Sequence, residues 1–239
     1  MTYELYYWPE IQGRGEFIRL ALEQAGADYV DVARGEGEDL PGLMHFMKDK
    51  SVPEPPFAPP YLKAGDLLIG QTANILLFLG GRHGLAPAEE GGRLWTHQLD
   101  LTVADFLVEA HDTHHPIGSG LYYEDQKPEA QRRAADFLAH RVPKFLGYFE
   151  RVLARNPAGT GLLVGKDVTT ADLSMFQMIA GLRYAFPKAM ARIEPQHPGL
   201  VALHDRVAAL PRIKAYLASP RRIPFNQDGI FRRYPELDP

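Results

Sequence analysis

Residues 3–32 read YELYYWPEIQGRGEFIRLALEQAGADYVDV, and this stretch decides the fold. Its aromatic-rich beginning, residues 3–8, is typical of a strand, which a proline then ends. From about Arg14 to Gln24 the apolar residues fall on one helical face, and Gly26 stands where a helix C-cap glycine belongs. Residues 29–32 predict a second strand. A strand, a helix and a strand in so short a span predict a βαβ unit, which has parallel strands and a right-handed crossover.

Weaker signals continue this first half of the chain. A short helix is predicted near Leu40–Asp49, whereas the five prolines of residues 53–60 exclude a helix there. Two short apolar runs between residues 61 and 69 flank Ala64-Gly65 and predict a hairpin. A further helix is expected to begin at Thr72 and to close at Gly80-Gly81.

The second half of the chain is predicted to be helical throughout. Residues 84–92 are rich in Gly, Pro and Ala and are interpreted as a linker. The last twenty residues predict an ordered tail without a helix. The expected fold is an α+β domain of βαβ–ββα type over residues 1–83, followed by an all-α domain over residues 93–239. Helical patterns in that second domain cover about residues 93–117, 128–155 and 170–185, with shorter pieces near 197–218.

Composition narrows the functional classes. The chain of 239 residues carries 26 basic and 30 acidic side chains, and its net charge of −4 argues against a nucleic-acid partner. It has no cysteine, so it has no disulfide, no thiolate metal ligand and no cysteine nucleophile. Neither a secretory signal nor an apolar run near 18 residues is found, which predicts a cytoplasmic protein that does not span a membrane. Any thiol chemistry must therefore use a thiol that a ligand brings in.

Five features, in order along the chain, resemble the cytosolic glutathione S-transferases. Within that family, these features resemble the tyrosine-type classes, and the sigma and mu classes in particular. They are Tyr7-Trp8 followed by Gly13-Arg14-Gly15-Glu16; Phe46 with Lys50, similar to a Trp-x-x-x-Lys pair; Pro59-Pro60-Tyr61-Leu62, similar to Val-Pro-x-Leu with a cis proline; Gln71-Thr72, similar to Gln-Ser; and Thr169-Thr170-Ala171-Asp172, similar to the Ser/Thr-x-x-Asp box.

This resemblance implies a thioredoxin-like domain followed by a helical domain, with glutathione as co-substrate, no metal and a homodimeric state. The implied activity is attack of the glutathione thiolate on an electrophilic small molecule, by conjugation or isomerisation, typically in detoxification. A largely non-catalytic glutathione-binding protein of the same fold is the alternative. The Thr169–Asp172 box predicts only a helix N-terminus, because Thr169 and Asp172 would form a capping box.

Tyr7 is the implied catalytic residue. A free thiol has a pKa of about 8.5, and a hydroxyl that donates a hydrogen bond to the sulfur favours the thiolate. Strand alternation places Tyr7 and Tyr6 on opposite faces, and the resemblance favours Tyr7 because Trp8 follows it. The Tyr7-to-Gly13 spacing is one residue longer than in the mu, pi and sigma classes, so Tyr6 stays open as the donor. Tyr7 as an ordinary core aromatic also stays open.

The resemblance further implies how glutathione is held. The Pro59 carbonyl would accept from the cysteinyl amide, although a proline at this place offers no N–H in return. Gln71 and Thr72 would hold the γ-glutamyl carboxylate at a helix start. Lys50, with Lys48 as its alternative, would reach the glycyl carboxylate. Asp105, with Asp100 as its alternative, would reach across a dimer. The implied glutathione-binding residues are Trp8, Arg14, Phe46, Lys50, Pro59, Pro60, Gln71, Thr72 and Asp105.

The second substrate is expected to bind a hydrophobic pocket between the first helix of the helical domain and the tail. Its predicted lining is Ile11, Val108, His111, His115 and Phe231, with Phe225 and Tyr234 as further cover. His111 and His115 are four residues apart, a spacing that also suits metal ligation, but no motif identifies a third ligand. Lining the pocket is therefore the preferred interpretation of these histidines.

Overall fold

The computed structural model describes residues 1–35 and 40–239, and all of their side chains except those of Leu40 and Pro41. The first half forms a four-stranded sheet of order β2-β1-β3-β4. β1 pairs with β2 in parallel and with β3 antiparallel, and β3 pairs with β4 antiparallel, so the predicted βαβ–ββα arrangement is confirmed. The elements are β1 (Tyr3–Tyr6), α1 (Gly15–Ala25), β2 (Tyr29–Asp31), α2 (Leu40–Lys48), β3 (Tyr61–Ala64), β4 (Leu67–Gly70) and α3 (Thr72–His83).

Both faces of the sheet are buried, because helices cover it on each side. Tyr3 and Leu5 of β1 point to one face and pack in the main core with Phe17 of α1. Tyr6 points to the other face and packs in a second, smaller cluster with Tyr61 of β3. The alternation of strand side chains thus gives consecutive residues of β1 two different surroundings.

Seven helices make up the second half of the chain. They are α4 (Glu90–Asp112), α5 (Lys127–Asp136), α6 (Val142–Arg155), α7 (Thr170–Ala185), α8 (Pro187–Ile193), α9 (Pro198–Ala209) and α10 (Pro211–Leu217). α7 is almost entirely buried and packs against α1, α4 and α9. Its N-terminus has the predicted capping box, in which Asp172 accepts the Thr169 N–H at 2.8 Å. The second oxygen of Asp172 accepts the Leu163 N–H at 2.8 Å, so the carboxylate also fixes the preceding loop.

Several predicted helix ends are wrong, each for a local reason. α3 continues past Gly80-Gly81 to His83 and ends at Gly84, whose left-handed conformation caps it. α4 begins at Glu90, inside the predicted linker, because the Glu89 side chain accepts the Gly92 N–H at 2.8 Å and caps the helix.

The same helix stops at Asp112 rather than near residue 117. The Thr113 hydroxyl donates to the Ala110 carbonyl at 2.7 Å. In a longer helix this carbonyl would accept a backbone N–H instead. The predicted helix over residues 128–155 is continuous but contains a π-helical turn at Phe137–Arg141. Pro143 follows this turn and has no N–H to donate, which favours a widened turn just before it.

The tail beyond α10 is ordered, as predicted, and has a single 3-10 turn at Pro235–Leu237. Asp238 is buried and accepts the backbone N–H groups of Lys188 and Ala189 at 2.7 and 2.8 Å, so the chain end caps α8. Tyr234 stacks on Tyr123 with ring centroids 3.8 Å apart. Within the described residues, no helix is both long enough and apolar enough to cross a membrane.

Candidate functional site

Three predicted site residues meet at one end of the sheet. The register pairs Tyr6 with Tyr61, and Tyr61 with Gly70. Tyr7 follows the first of these strands, Pro60 precedes the second, and Gln71 follows the third. Because neighbouring strands are about 4.8 Å apart, these three residues lie side by side. The Pro59–Pro60 peptide bond is cis, and it places the sharp bend of the chain at this edge.

The Tyr7 side chain is buried against the start of α1. Its hydroxyl oxygen accepts the backbone N–H of Arg14 at 2.9 Å. A side chain on Gly13 would collide with this hydroxyl, and one on Gly15 would collide with the tyrosine ring. Gly13 also has φ of +44°, a conformation that favours glycine. The two glycines therefore permit the hydroxyl to reach the positive end of α1.

The environment of Tyr7 keeps its hydroxyl protonated. Burial raises the pKa of Tyr7, and the Arg14 amide together with the charges of Arg14 and Arg19 opposes that rise without cancelling it. The Arg19 guanidinium lies over the tyrosine ring, 5.8 Å from its centroid. Since the oxygen already accepts from Arg14, the hydroxyl proton is available to an anion placed next to it.

Tyr6 has a different partner on the other face of the sheet. Its hydroxyl donates to Glu4 Oε2 at 2.7 Å, and the other oxygen of Glu4 accepts from Lys63 Nζ at 2.7 Å. Its ring stacks on Tyr61 at 4.7 Å and meets the edge of Phe46 at 5.5 Å. The structure thus places Phe46 beside Tyr6, between α2 and the sheet.

The start of α3 has the features of an anion site. Gln71 precedes the helix with φ of +67°, a rare conformation for a residue other than glycine. The Thr72 Oγ1 is buried, and the described residues offer it no hydrogen-bond partner. A cavity of about 420 Å³ opens here, lined among others by Arg14, Gln71, Thr72 and Val108. A buried hydroxyl without a partner at a helix N-terminus suits a carboxylate.

The two candidate aspartates of α4 differ in surroundings. Asp100 is buried and accepts hydroxyl hydrogen bonds from Thr170 at 2.6 Å and Ser174 at 2.9 Å, which join α4 to α7. Burial raises the pKa of Asp100 to about 7. Asp105 is exposed and lines a groove between α4 and α6, outside the cavity at Thr72. Within one chain, therefore, Asp105 is not brought to the cavity at Gln71 and Thr72.

The remaining predicted residues occupy varied positions. Trp8 is 38% exposed, and Lys50 and its alternative Lys48 are both exposed. Phe231 lies in the core, where its ring leaves no room for a side chain on Gly181, so it does not line an open surface. Val108 is exposed, and Ile11 is half-buried beside Gly229 of the tail.

His111 and His115 are brought together at the end of α4, with ring centroids 5.1 Å apart. His114 lies between them and the tail, and its Nε2 meets the Ile230 carbonyl at 2.8 Å. In the part of the chain that the structure describes, no group of three His, Cys, Asp or Glu side chains is arranged to hold a metal ion.

Sequence reasoning missed the contacts between the tail and the loop after β1. Gln12 is buried, donates to the Ile223 carbonyl at 2.5 Å and accepts from Gln177 Nε2 at 2.7 Å. Asn226 donates to the Glu10 carbonyl at 2.7 Å. These partners are more than 160 residues from the loop in sequence, so no local pattern could have indicated them.

Comparisons with known proteins identify the family and the fold. The family described as the glutathione S-transferase C-terminal domain matches residues 111–220. Glutathione S-transferase 1 of Ascaris suum is 30% identical over 233 residues, with 93% of this chain and 98% of that protein covered. The glutathione S-transferase of Plasmodium falciparum is 26% identical over 220 residues, with 90% and 94% covered. The Pi-class glutathione S-transferase structure of Onchocerca volvulus superposes with a TM-score of 0.72 at 22% identity, covering 96% of this chain and 99% of that one.

The fold is thus the one seen in solved glutathione S-transferase structures, with a four-stranded mixed sheet followed by a helical part. The chain belongs to the glutathione S-transferase family.

Proposed function

We propose that this protein is a tyrosine-type glutathione S-transferase, similar to the sigma and mu classes, in which Tyr7 stabilises the glutathione thiolate. The observation that carries the proposal is the Tyr7 hydroxyl, which accepts from the Arg14 amide at 2.9 Å and keeps its own proton for the sulfur. Its position beside the cis-proline bend and the start of α3 supports the proposal, because a tripeptide thiol can span these three features.

The thiolate is the reacting group in this mechanism. A free thiol has a pKa of about 8.5, and lowering it by two units requires about 2.7 kcal/mol of extra stabilisation of the anion. A hydrogen bond to a charged acceptor contributes about 1.5–3 kcal/mol, so one hydroxyl supplies most of this. The thiol proton leaves to solvent, and the thiolate forms a C–S bond to an electrophilic carbon. Conjugation or isomerisation follows, depending on the electrophile. In conjugation the C–S bond replaces the one to a leaving group, or it breaks the π bond of an activated alkene, which then takes a proton from solvent. In isomerisation the C–S bond breaks again and releases the thiolate.

The other glutathione contacts follow from the same geometry. Thr72 Oγ1 and the free amides at the start of α3 receive the γ-glutamyl carboxylate, which satisfies a hydroxyl otherwise buried without a partner among the described residues. The Pro59 carbonyl accepts the cysteinyl N–H. Lys50 reaches the glycyl carboxylate. Arg14 and Gln71 line the cavity at the start of α3, and Trp8, Phe46 and Pro60 are proposed to contact other parts of the tripeptide outside it.

A homodimer completes the site. Leu94, Leu101 and Val108 follow each other at intervals of seven residues on the outer face of α4, and all three are exposed. Phe57 is 89% exposed, which is unusual for a large apolar side chain. Asp105 lies on the same helical face as Leu101 and Val108. If a second copy covers this face, the Asp105 carboxylate of the first copy reaches the amine of the glutathione that the second copy binds.

The remaining features of the proposal concern organisation and substrate. Residues 1–83 form the glutathione-binding domain, 84–92 the connection, and 93–239 the helical domain. The electrophile binds between the loop after β1 and the end of α4, against Ile11, Val108, His111 and His115, with Phe231 supporting the wall from within the core. The cytoplasm, where glutathione is reduced, is the proposed location.

Titration of glutathione in a calorimeter tests the binding site. Thr72→Val removes one hydroxyl at nearly constant volume, and the loss of a charge-assisted hydrogen bond should weaken binding by roughly 10- to 150-fold. Thr102→Val is the matched control, because the Thr102 hydroxyl donates to the Gln98 carbonyl within α4 and does not line the cavity at Thr72. Absence of binding heat for the unmodified protein at millimolar glutathione would contradict the proposal. Saturable binding without turnover of an aryl halide would instead favour the non-catalytic alternative.

A further inference from the structure

The three histidines at the end of α4 form a row of contacting rings, and one of them is hydrogen-bonded to the tail. His114 is buried, and its Nε2 lies 2.8 Å from the Ile230 carbonyl oxygen. Its Nδ1 lies 2.5 Å from Nδ1 of His115. The His115 ring stacks on His111, whose Nδ1 is 3.2 Å from the Asp112 carboxylate.

This row fixes which nitrogen carries each proton. A carbonyl oxygen only accepts, so Nε2 of His114 must donate, and in the neutral ring Nδ1 is then an acceptor. The facing Nδ1 of His115 must therefore be the donor. A neutral His115 with its proton on Nδ1 has a lone pair on Nε2, and no described residue makes a hydrogen bond to that atom. Nε2 of His115 is thus available to accept a hydrogen bond.

The row lies next to the proposed thiolate site. Arg14, whose amide contacts the Tyr7 hydroxyl, is close enough to His111 for its charge to lower the pKa of that histidine. The loop between Tyr7 and Arg14 is also hydrogen-bonded to the tail segment that holds His114, because Asn226 donates to the Glu10 carbonyl at 2.7 Å and accepts the Gly229 N–H at 3.1 Å. His115 is only partly buried, so its ring is open to contact with a ligand.

The charges around His115 keep it neutral near pH 7. Burial lowers its pKa, and Arg232 of the tail and His111 lower it further, whereas Asp112 opposes them. Burial also lowers the pKa of His114 to about 3, so this ring remains neutral over the working range. Protonation of His115 at acidic pH would convert Nε2 from an acceptor to a donor.

We infer that His115 is a specificity-determining acceptor of the second-substrate site, which selects electrophiles that carry a hydroxyl or N–H donor near the reactive carbon, and that the Ile230 carbonyl sets this preference through His114. The inference rests on the proposed transferase function and deepens it. What it adds to that function is the direction of the hydrogen bond to the substrate. The Ile230 carbonyl of the tail determines this direction through the rings of His114 and His115.

The protonation pattern is tested without any substrate. Long-range proton–nitrogen NMR spectra of the histidine rings distinguish the two neutral tautomers, with single-histidine variants used for assignment. We expect the Nε2–H form for His114 and the less common Nδ1–H form for His115 at pH 7.5. An Nε2–H form for His115 would overturn the inference and leave the role of Tyr7 untouched.

The specificity is tested with a pair of α,β-unsaturated ketones that differ only in a hydroxyl or a methoxy group on the γ-carbon. The unmodified protein should favour the hydroxyl compound in kcat/KM by about three- to tenfold, the effect of one neutral hydrogen bond. His115→Phe keeps a ring against His111 but should bring this ratio to about one, and His114→Leu should lower it because His115 can then take either tautomer. His140→Phe, at an exposed site, should keep the ratio of the unmodified protein.

The ratio is measured within one enzyme, so weaker folding or weaker glutathione binding in a variant cancels. In the unmodified protein the ratio should fall as the pH is lowered towards 5, and in His115→Phe it should not change with pH. An unchanged ratio in His115→Phe would overturn the inference. So would failure of the unmodified protein to turn over either ketone while it still conjugates an aryl halide. Failure with every electrophile would instead count against the proposed function.

Discussion

Replacement of Tyr7 by phenylalanine removes one hydroxyl and leaves the ring packing against Gly15 and Arg19 in place. The lost hydrogen bond to the thiolate is charge-assisted and contributes about 1.5–3 kcal/mol. The rate should therefore fall by roughly 10- to 150-fold under conditions in which thiolate formation limits turnover. The pKa of bound glutathione, read from the ultraviolet absorbance of the thiolate against pH, should rise by about one to two units.

Tyr6→Phe is the matched control, because that hydroxyl bonds to Glu4 on the other face of the sheet. It should change neither the rate nor the thiol pKa appreciably. A large effect of Tyr6→Phe with little effect of Tyr7→Phe would refute the assignment. If neither variant changes the thiol pKa, the stabilisation of the anion comes from another group, and the Arg14 side chain and the amides near Gly13 are the next to test.

Two further predictions concern assembly and pH. Phe57→Ser should shift the protein from dimer to monomer in sedimentation velocity. It should also weaken glutathione binding, because Asp105 then has no neighbouring site to reach. Val30→Ser, on the edge strand β2, is the control, and a monomeric unmodified protein would contradict the role of Asp105. Burial raises the pKa of Asp100 to about 7 in the folded protein, whereas its pKa in the unfolded chain is near 4. The contribution of Asp100 to stability is therefore fully present below pH 4 and is lost as the pH rises through 7. Asp100→Asn should therefore gain stability relative to the unmodified protein between pH 5 and pH 8 in urea unfolding, by at most about 3 kcal/mol. A difference that does not vary with pH would contradict this.

The first half of the fold was predictable because its signals are local. The strand alternation, the capping glycine at Gly26 and the hairpin each depend on a few neighbouring residues, and the structure has the expected element at each. The hairpin turn is one residue later than predicted, at Gly65-Asp66, because Ala64 is still paired with Leu67. The Thr169–Asp172 box was interpretable for the same reason, since a capping box is complete within four residues. The start of α3 at Thr72 could be predicted as an anion site, whereas the lack of a described partner for its hydroxyl is visible only in three dimensions.

The second half was less predictable because its helix ends depend on packing. Gly80 suggests the end of a helix, yet it is kept inside α3 by close contact with Ala86, which leaves little room for a side chain. The widened turn before Pro143 has no composition signal other than the proline itself. The fate of Asp100 could not be foreseen either, because its partners Thr170 and Ser174 are 70 and 74 residues away.

The one-residue extension between Tyr7 and Gly13 shows how a long-range contact can resolve a local ambiguity. A longer loop adds conformational freedom and could rotate the hydroxyl away from α1. Here the Gln12 side chain is buried between the Ile223 carbonyl and Gln177, and Asn226 holds the Glu10 carbonyl, so the tail fixes the loop on both sides of Ile11. With the loop fixed, Gly13 takes its left-handed conformation and the Arg14 amide reaches the Tyr7 hydroxyl. The tail that sets the tautomers of the histidines therefore also holds the loop that carries the thiolate donor, and both substrates of the proposed reaction depend on it.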